Sequence, residues 1–291
     1  MKIAVTGARG VLGGELIKTL GETHEVIPFP NRETLDLKDF HGVGKFIADT
    51  RPDAIVHPAA WRDPDPCEID PPSGWRNNAL TTLAVVQAAR QQGAIMVHMS
   101  SDSVFPGDRN EPYHEFDVTG PPVSVYGRTK LASENLVMQH LQRYFVVRLP
   151  LLFGRTPNPD KNKLIQLFAA AKEGKKTASP GDAFSSVAYC RDVALAVRRM
   201  LETEFWGVYH VASTPVISRA GMLQTALEIA GMDPSFVEAK TIAEQNKPAK
   251  RVRYSVLTSY LLEPVLGFSM PDWRDSMKEC IADLRAGGYV E

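Results

Sequence analysis

Cysteine is scarce in this chain of 291 residues: Cys67, Cys190 and Cys280 are odd in number and far apart. Neither a disulfide framework nor a thiolate metal site is expected from such spacing. The seven histidines are scattered, with no pair at the spacing that lets two imidazoles on one helix share an ion, so no metal is expected. Long apolar runs are missing too, and no window approaches the ~18 consecutive apolar residues of a membrane-spanning helix. Charge of one sign is not in excess, because 33 Lys and Arg face 34 Asp and Glu. General attraction to nucleic acid or to an anionic membrane is thereby excluded, and any bound anion must be held locally. Met1 runs directly into an apolar stretch and a glycine at position 7, without the apolar core and cleavage site of a secretory leader. A cytoplasmic chain is the expectation.

What is present is ordinary globular material, with 44% hydrophobic and 23% charged residues, which sets aside disorder and fibrous architectures. The length suits about two domains of roughly 150 residues. Short β-branched runs at 2–6, 24–29, 54–57, 94–100 and 144–149 read as strands. They alternate with amphipathic stretches at 11–20, 37–50, 78–91 and 126–143 that read as helices. Repeated βαβ of this kind builds a doubly wound, Rossmann-like parallel sheet with helices on both faces. After Pro150 the texture changes, and 154–162 reads as a surface loop rich in Pro, Asn and charge. The expected organisation is a dinucleotide-binding domain over 1–150, joined again by a helix and strand within 187–212. A smaller C-terminal substrate lobe would comprise 151–186 and 213–291, with later helices at 218–231 and 272–286.

The first chemical motif is TGARGVLG, residues 6–13, between the first strand and the first helix. Gly7, Gly10 and Gly13 allow a tight turn, close approach of backbone to a pyrophosphate, and close packing of helix on strand. Val11 and Leu12 open the helix, whose free N–H groups and partial positive charge suit phosphate oxygens. In the NAD-binding form of this fold an acidic residue about 20 positions further on holds the ribose hydroxyls. Here the second strand ends Pro28-Phe29-Pro30-Asn31-Arg32, with no carboxylate. Arg32, together with Arg9, could face a 2′-phosphate, so NADP(H) is preferred and NAD(H) stays open. The alternative is that both arginines are solvated surface charges.

The second motif is Tyr126-Gly127-Arg128-Thr129-Lys130, preceded by Ser100-Ser101-Asp102 at a strand end. Tyr126 and Lys130 share one helix face, so the ammonium is expected to lower the phenol's pKa from about 10. The tyrosine could then give a proton to a carbonyl oxygen that the Ser101 hydroxyl holds in place. A Tyr-x-x-x-Lys pair alone is common; with the glycine turn and the serine upstream it becomes specific.

These phrases together resemble the extended short-chain dehydrogenases/reductases, and within them the dTDP-4-dehydrorhamnose reductase group. The likeness covers nearly the whole length. It is carried by TGARGVLG, Leu35-Asp36-Leu37, RPDAIVHPAA (51–60), SSDSVFPG (100–107), YGRTKLASE (126–134), RLPLLFG (148–154), residues 207–210 and Pro271-Asp272-Trp273. By that resemblance Asp36 and Leu37 touch adenine, and Ala59 and Ala60 line the cofactor beside Ser100. Asn78 orders the active-site backbone, and Ser101, Tyr126 and Lys130 form the catalytic set. The implied reaction is NADPH-dependent reduction of the keto group of a nucleotide-linked 4-keto-6-deoxy sugar.

The likeness has departures on the substrate side. The rhamnose enzymes usually carry tyrosine where Ser103 stands and tryptophan where Leu151 stands, both near the sugar. Their Arg-Pro followed by a polar pair appears here as Arg251-Val252-Arg253-Tyr254. Trp61, Asp102, Ser103, Leu151 and Arg251 are the candidate substrate contacts. Trp61, Arg62 and Asp63 could equally belong to a rigid connection set by Pro58, Pro64 and Pro66. Asp65 and Glu68 read as solvated loop charges, and the group Lys247, Lys250, Arg251 and Arg253 as a diphosphate site or a solvated patch. Two further readings stay open: another extended short-chain dehydrogenase or epimerase acting on a different ketone, and a non-catalytic NADP-binding subunit. The regulatory β subunit of methionine adenosyltransferase is of the latter kind, and RLPLLFG resembles its version more closely. A homodimer is common in the superfamily, though nothing local demands one.

Overall fold

The computed structural model describes residues 1–155 and 162–290. The loop expected over 154–162 therefore falls mostly outside the described residues. Its main sheet comes from β1 (Lys2–Val5), β2 (Glu25–Pro28), β3 (Ala54–His57), β4 (Ile95–Met99) and β5 (Tyr144–Arg148). Between them lie α1 (Val11–Gly21), α2 (Phe40–Thr50), the short α3 (Pro64–Ile69) and α4 (Pro71–Trp75), α5 (Thr81–Gln92) and α6 (Val125–His140). The remainder runs β6 (Leu151–Phe153), α7 (Lys163–Lys172), β7 (Thr177–Pro180), β8 (Phe184–Tyr189), α8 (Cys190–Leu201) and β9 (Gly207–His210). Last come β10 (Ser213–Ser218), α9 (Arg219–Ile229), β11 (Val237–Lys240), β12 (Tyr254–Ser255), α10 (Leu262–Leu266) and α11 (Trp273–Ala286).

The six-stranded sheet has the order β2-β1-β3-β4-β5-β9, and every pairing is parallel. Strands β3 and, from Phe145 on, β5 are buried on both faces because helices cover both sides. One face packs Val5, Val56, Val97 and Val147 against Leu16 of α1 and Val197 of α8; the other packs Ile55, Met96 and Val146 against Ile47 of α2 and Val86 of α5. The order reverses between β1 and β3, and a doubly wound sheet binds its ligand outside the strand ends at such a switch point.

The lobe has its own sheet, with β8 paired antiparallel to β10 and parallel to β12 and β6. Its core gathers Phe168 of α7, Leu227 of α9 and Trp273 and Met277 of α11. After β8 the chain runs back to the first sheet, where β9 pairs with β5 and α8 packs on α1. Residues 187–189, however, finish strand β8 rather than begin a helix. Pairing with β6 and β10, which buries every residue of β8 from Ser185 to Tyr189, wins there over the helical pattern that follows. The connection after Trp61 differs also, forming α3 and α4, each with proline in its first turn and an aspartate, Asp63 or Asp70, as N-cap.

Candidate active site

The turn after β1 is fixed by contacts that tolerate only glycine. Gly7 has φ +60°, and a Cβ there would lie 3.1 Å from the Ala59 backbone. A Cβ on Gly13 would lie 2.1 Å from the Gly7 carbonyl oxygen, so α1 can approach the turn only without a side chain. Gly10 is the N-cap of α1 and no side chain caps the helix, which leaves its first N–H groups for a ligand. Gly7, Arg9 and Gly10 are exposed, Val11 is half-buried, and Leu12 turns into the core. These features fit a dinucleotide pyrophosphate: uncapped amides, a bare backbone and a helix N-terminus at the sheet's switch point.

In the loop after β2, Asn31 Oδ1 accepts from the Thr34 backbone N–H at 2.9 Å. Arg32 is exposed and lies 3.4 Å from Asp36, which also pairs with Lys38 at 3.2 Å. The Asp36 carboxyl is held below its ordinary range: burial raises it, and the opposing bonds and charge of Lys38, with Arg32 behind, outweigh that. Leu37 packs at the edge of the core.

The second half of the site is built where β4 ends. Backbone bonds from Ser100 N to Val147 O (2.7 Å) and from Asp102 N to Leu149 O (2.9 Å) prolong the β4–β5 pairing and set Ser101 between them. The Ser101 hydroxyl lies 2.9 Å from Asp102 Oδ1 and 3.2 Å from Ser103 Oγ, and Ser103 Oγ is 3.3 Å from the same carboxylate oxygen. Helix α6 begins over this loop, capped by Ser124. A Cβ on Gly127 would stand 2.2 Å from the Ser103 carbonyl oxygen, so glycine there lets the first turn of α6 settle on the 101–103 segment. Tyr126 is thereby brought against Ser101.

The phenol does not behave as the Tyr-x-x-x-Lys spacing suggests. Burial pushes the Tyr126 pKa up, with Asp102 adding to it, while the Ser101 hydroxyl and Arg62 offset only part. Lys130 is turned the other way, buried with Nζ 2.6 Å from the Met99 carbonyl oxygen, and loss of solvent drops its pKa to about 8 against the pull of Glu134. The expected lowering of Tyr126 by Lys130 is thus replaced by a phenol kept protonated and an ammonium kept under tension by burial.

Asn78 lies in a π-helical turn, Arg76–Leu80, that opens α5. Its Oδ1 accepts from Trp61 N at 2.7 Å, and its Nδ2 donates to Thr129 Oγ1 at 2.9 Å on α6. Ala59 rests on the glycine turn and Ala60 is exposed beside it. Leu151 is half-buried on β6. Arg251 is held by Asp65 at 2.9 Å and by its own loop. Asp65 and Glu68 are not solvated loop charges: Asp65 also accepts from Ala249 N, and Glu68 accepts from Val125 N at the start of α6. Sequence reasoning passed over Thr6, His57, Arg148 and His210. A histidine closing an otherwise aliphatic strand, and an arginine closing another mostly apolar one, were the available signals. Among the described residues no cluster of three or more potential metal ligands occurs.

A doubly wound sheet with a bare glycine turn at its switch point and a Ser–Tyr–Lys constellation across from it defines the extended short-chain dehydrogenase/reductase class. The family model described as "RmlD substrate binding domain" matches residues 1–286, and the chain belongs to that family. A dTDP-4-dehydrorhamnose reductase of Streptomyces griseus is 31% identical, with 98% of this chain and 95% of that protein covered. A solved dTDP-4-dehydrorhamnose reductase of Bacillus anthracis in complex with NADP superposes with a TM-score of 0.91 at 28% identity, covering 97% of this chain and 99% of that one. A solved Clostridium acetobutylicum dTDP-4-dehydrorhamnose reductase ortholog gives 0.91 at 32% identity, covering 98% and 100%.

Proposed function

We propose that this protein is an NADPH-dependent reductase of the keto group of a nucleotide-linked deoxy sugar, of the dTDP-4-dehydrorhamnose reductase type. The observation that carries this reading is the convergence of Ser101, Tyr126 and Lys130 at the ends of β4 and α6, opposite an uncapped α1. The names of the relatives and the NADP complex of the Bacillus protein support it.

Gly7, Gly10 and Gly13 would hold the pyrophosphate, Arg9 and Arg32 the 2′-phosphate, and Lys130 the ribose beside the reacting carbon. When bound, the cofactor supplies a hydride. The remaining work belongs to the chain. In the resting site the Ser101 hydroxyl donates to Asp102 Oδ1 at 2.9 Å; as the ketone enters, that proton would turn to the ketone oxygen and hold it by a hydrogen bond. Tyr126 stays protonated in the resting site because burial raises its pKa, and it passes that proton to the oxygen as negative charge develops there. The carbonyl becomes an alcohol, and the phenolate left behind is stabilised by Ser101 and by the Lys130 ammonium until solvent restores the proton.

Ser103 and Leu151 present a hydroxyl and an aliphatic side chain to the sugar where the rhamnose enzymes usually present rings. We assign 1–150 and the α8–β9 return to the dinucleotide unit, and the rest to the substrate lobe. The proposal includes a cytoplasmic location, supported by three buried, unpaired cysteines. The test is loss of NADPH absorbance with a dTDP-linked 4-keto-6-deoxy sugar generated in place. Turnover that Tyr126→Phe lowers by ~10²-fold or more, with NADPH affinity kept, is the expected result. NADPH binding without turnover on this or other keto sugars would overturn the reductase reading and favour a non-catalytic subunit.

A further inference from the structure

We propose that His57 is a positioning residue that ties the dinucleotide turn to the helix carrying Tyr126. This inference rests on the dinucleotide-binding reading given above. His57 ends β3 at the switch point and is fully buried. A ring with two polar nitrogens in that place costs desolvation unless both are bonded, and an aliphatic residue would serve packing alone. Both nitrogens are bonded: Nδ1 lies 2.8 Å from Thr6 Oγ1 and Nε2 lies 3.3 Å from Thr82 Oγ1.

The neighbouring bonds fix which nitrogen carries the proton. Thr82 Oγ1 donates to the Asn78 carbonyl at 2.8 Å, so toward His57 it accepts, and Nε2 bears the hydrogen. Nδ1 is then a lone pair that accepts from the Thr6 hydroxyl, and Thr6 Oγ1 in turn accepts from the Ala59 backbone N–H at 3.2 Å. Burial holds His57 neutral by lowering its pKa to about 3, as this arrangement needs. The ring plane is braced by His98 on β4, stacked at 5.6 Å.

One directed chain results. It starts at Ala59 and Thr6, which flank Gly7, passes through His57 and Thr82, and reaches Asn78. Asn78 continues it by donating to Thr129, whose hydroxyl donates to the Tyr126 carbonyl at 2.8 Å. Tightening of the turn on a dinucleotide is therefore transmitted to the first turn of α6. His57 touches neither cofactor nor substrate in this account; it acts through the groups it holds.

The two ends of the ring can be removed separately. His57→Gln keeps a donor for Thr82 and removes the acceptor from Thr6; His57→Asn keeps the acceptor and removes the donor. Calorimetry with NADPH is expected to show affinity weakened about tenfold in His57→Gln, the size of one lost hydrogen bond, and within about twofold of wild type in His57→Asn. Amide hydrogen exchange is expected to show that NADPH slows exchange in the first turn of α6 in wild type but not in His57→Asn. Thr6→Val and Thr82→Val should reproduce the two phenotypes with the ring intact, should either histidine variant fail to fold. Equal losses of affinity in both variants, or full protection of α6 in His57→Asn and Thr82→Val, would overturn the inference alone. Wild-type protein that binds no dinucleotide would overturn the reading beneath it, and this inference with it.

Discussion

At the scale of single residues, the site works through burial as much as through charge. Lys130 is almost wholly enclosed, and its pKa of about 8 lies below the ordinary 10.5. Between those values the unfolded chain binds the proton more tightly than the folded one, so stability rises with pH through that window and is lost as pH falls toward 8. Lys130→Met should therefore be more stable than wild type by about 1–3 kcal/mol at pH 7, the gain vanishing near pH 10.5. Urea unfolding of both proteins at several pH values measures this, and a pH-independent difference would contradict it. In the wild type, kcat/KM for ketone reduction should fall as pH rises through about 8, because neutral Lys130 cannot support the phenolate.

At the scale of elements, the decisive feature is how closely one backbone approaches another. A Cβ on Gly13 of α1 would lie 2.1 Å from the Gly7 carbonyl oxygen, and the obstacle is backbone, not a side chain that could swing aside. Gly13→Ala is expected to move α1 away from β1 and abolish measurable NADPH affinity, with a stability loss of about 1–3 kcal/mol from overpacking. Calorimetry and thermal unfolding of that variant report the two effects separately, and retained affinity would show that α1 does not carry the phosphates. Glycine at 127 has the same function at α6, where the Ser103 carbonyl takes the space of a side chain.

At the scale of the whole molecule, a buried polar chain joins parts remote in sequence. Glu134 of α6 accepts from the Ser100 hydroxyl at 2.5 Å and from Arg148 of β5 at 2.9 and 3.0 Å, and Arg148 lies 3.5 Å from His210 Nε2 on β9. The His210 Nδ1–H faces the carbonyls of Tyr113 and Thr258, and its backbone N–H donates to Glu115, which also accepts from Ser259 and Tyr260. Burial lowers the His210 pKa, so the ring is neutral and receives a bond from Arg148. Arg148→Leu would strand the Glu134 carboxylate in a dry interior, and a loss of about 3–5 kcal/mol in urea unfolding is expected. A loss under about 1 kcal/mol would mean that water reaches Glu134.

The alternation of strands and helices, the glycine turn and the Tyr126–Lys130 helix were all legible in the sequence, because each depends on periodicity or on spacing within one turn. Local pattern could not reveal where side chains end up pointing. Lys130 donates to the Met99 carbonyl because β4, 31 residues earlier in the chain, supplies a buried acceptor there. Asp65 and Glu68 look like loop charges until folding sets Arg251 and the first amide of α6 against them. His57 is one apolar-strand position among many until Thr6 and Thr82 close on it from opposite sides. By itself the sequence determined the elements and the turn, since hydrophobic period and backbone sterics are local. Only the tertiary structure decided protonation, partners and the path between the two halves of the site, since burial and hydrogen bonding depend on residues brought together from far apart in the chain.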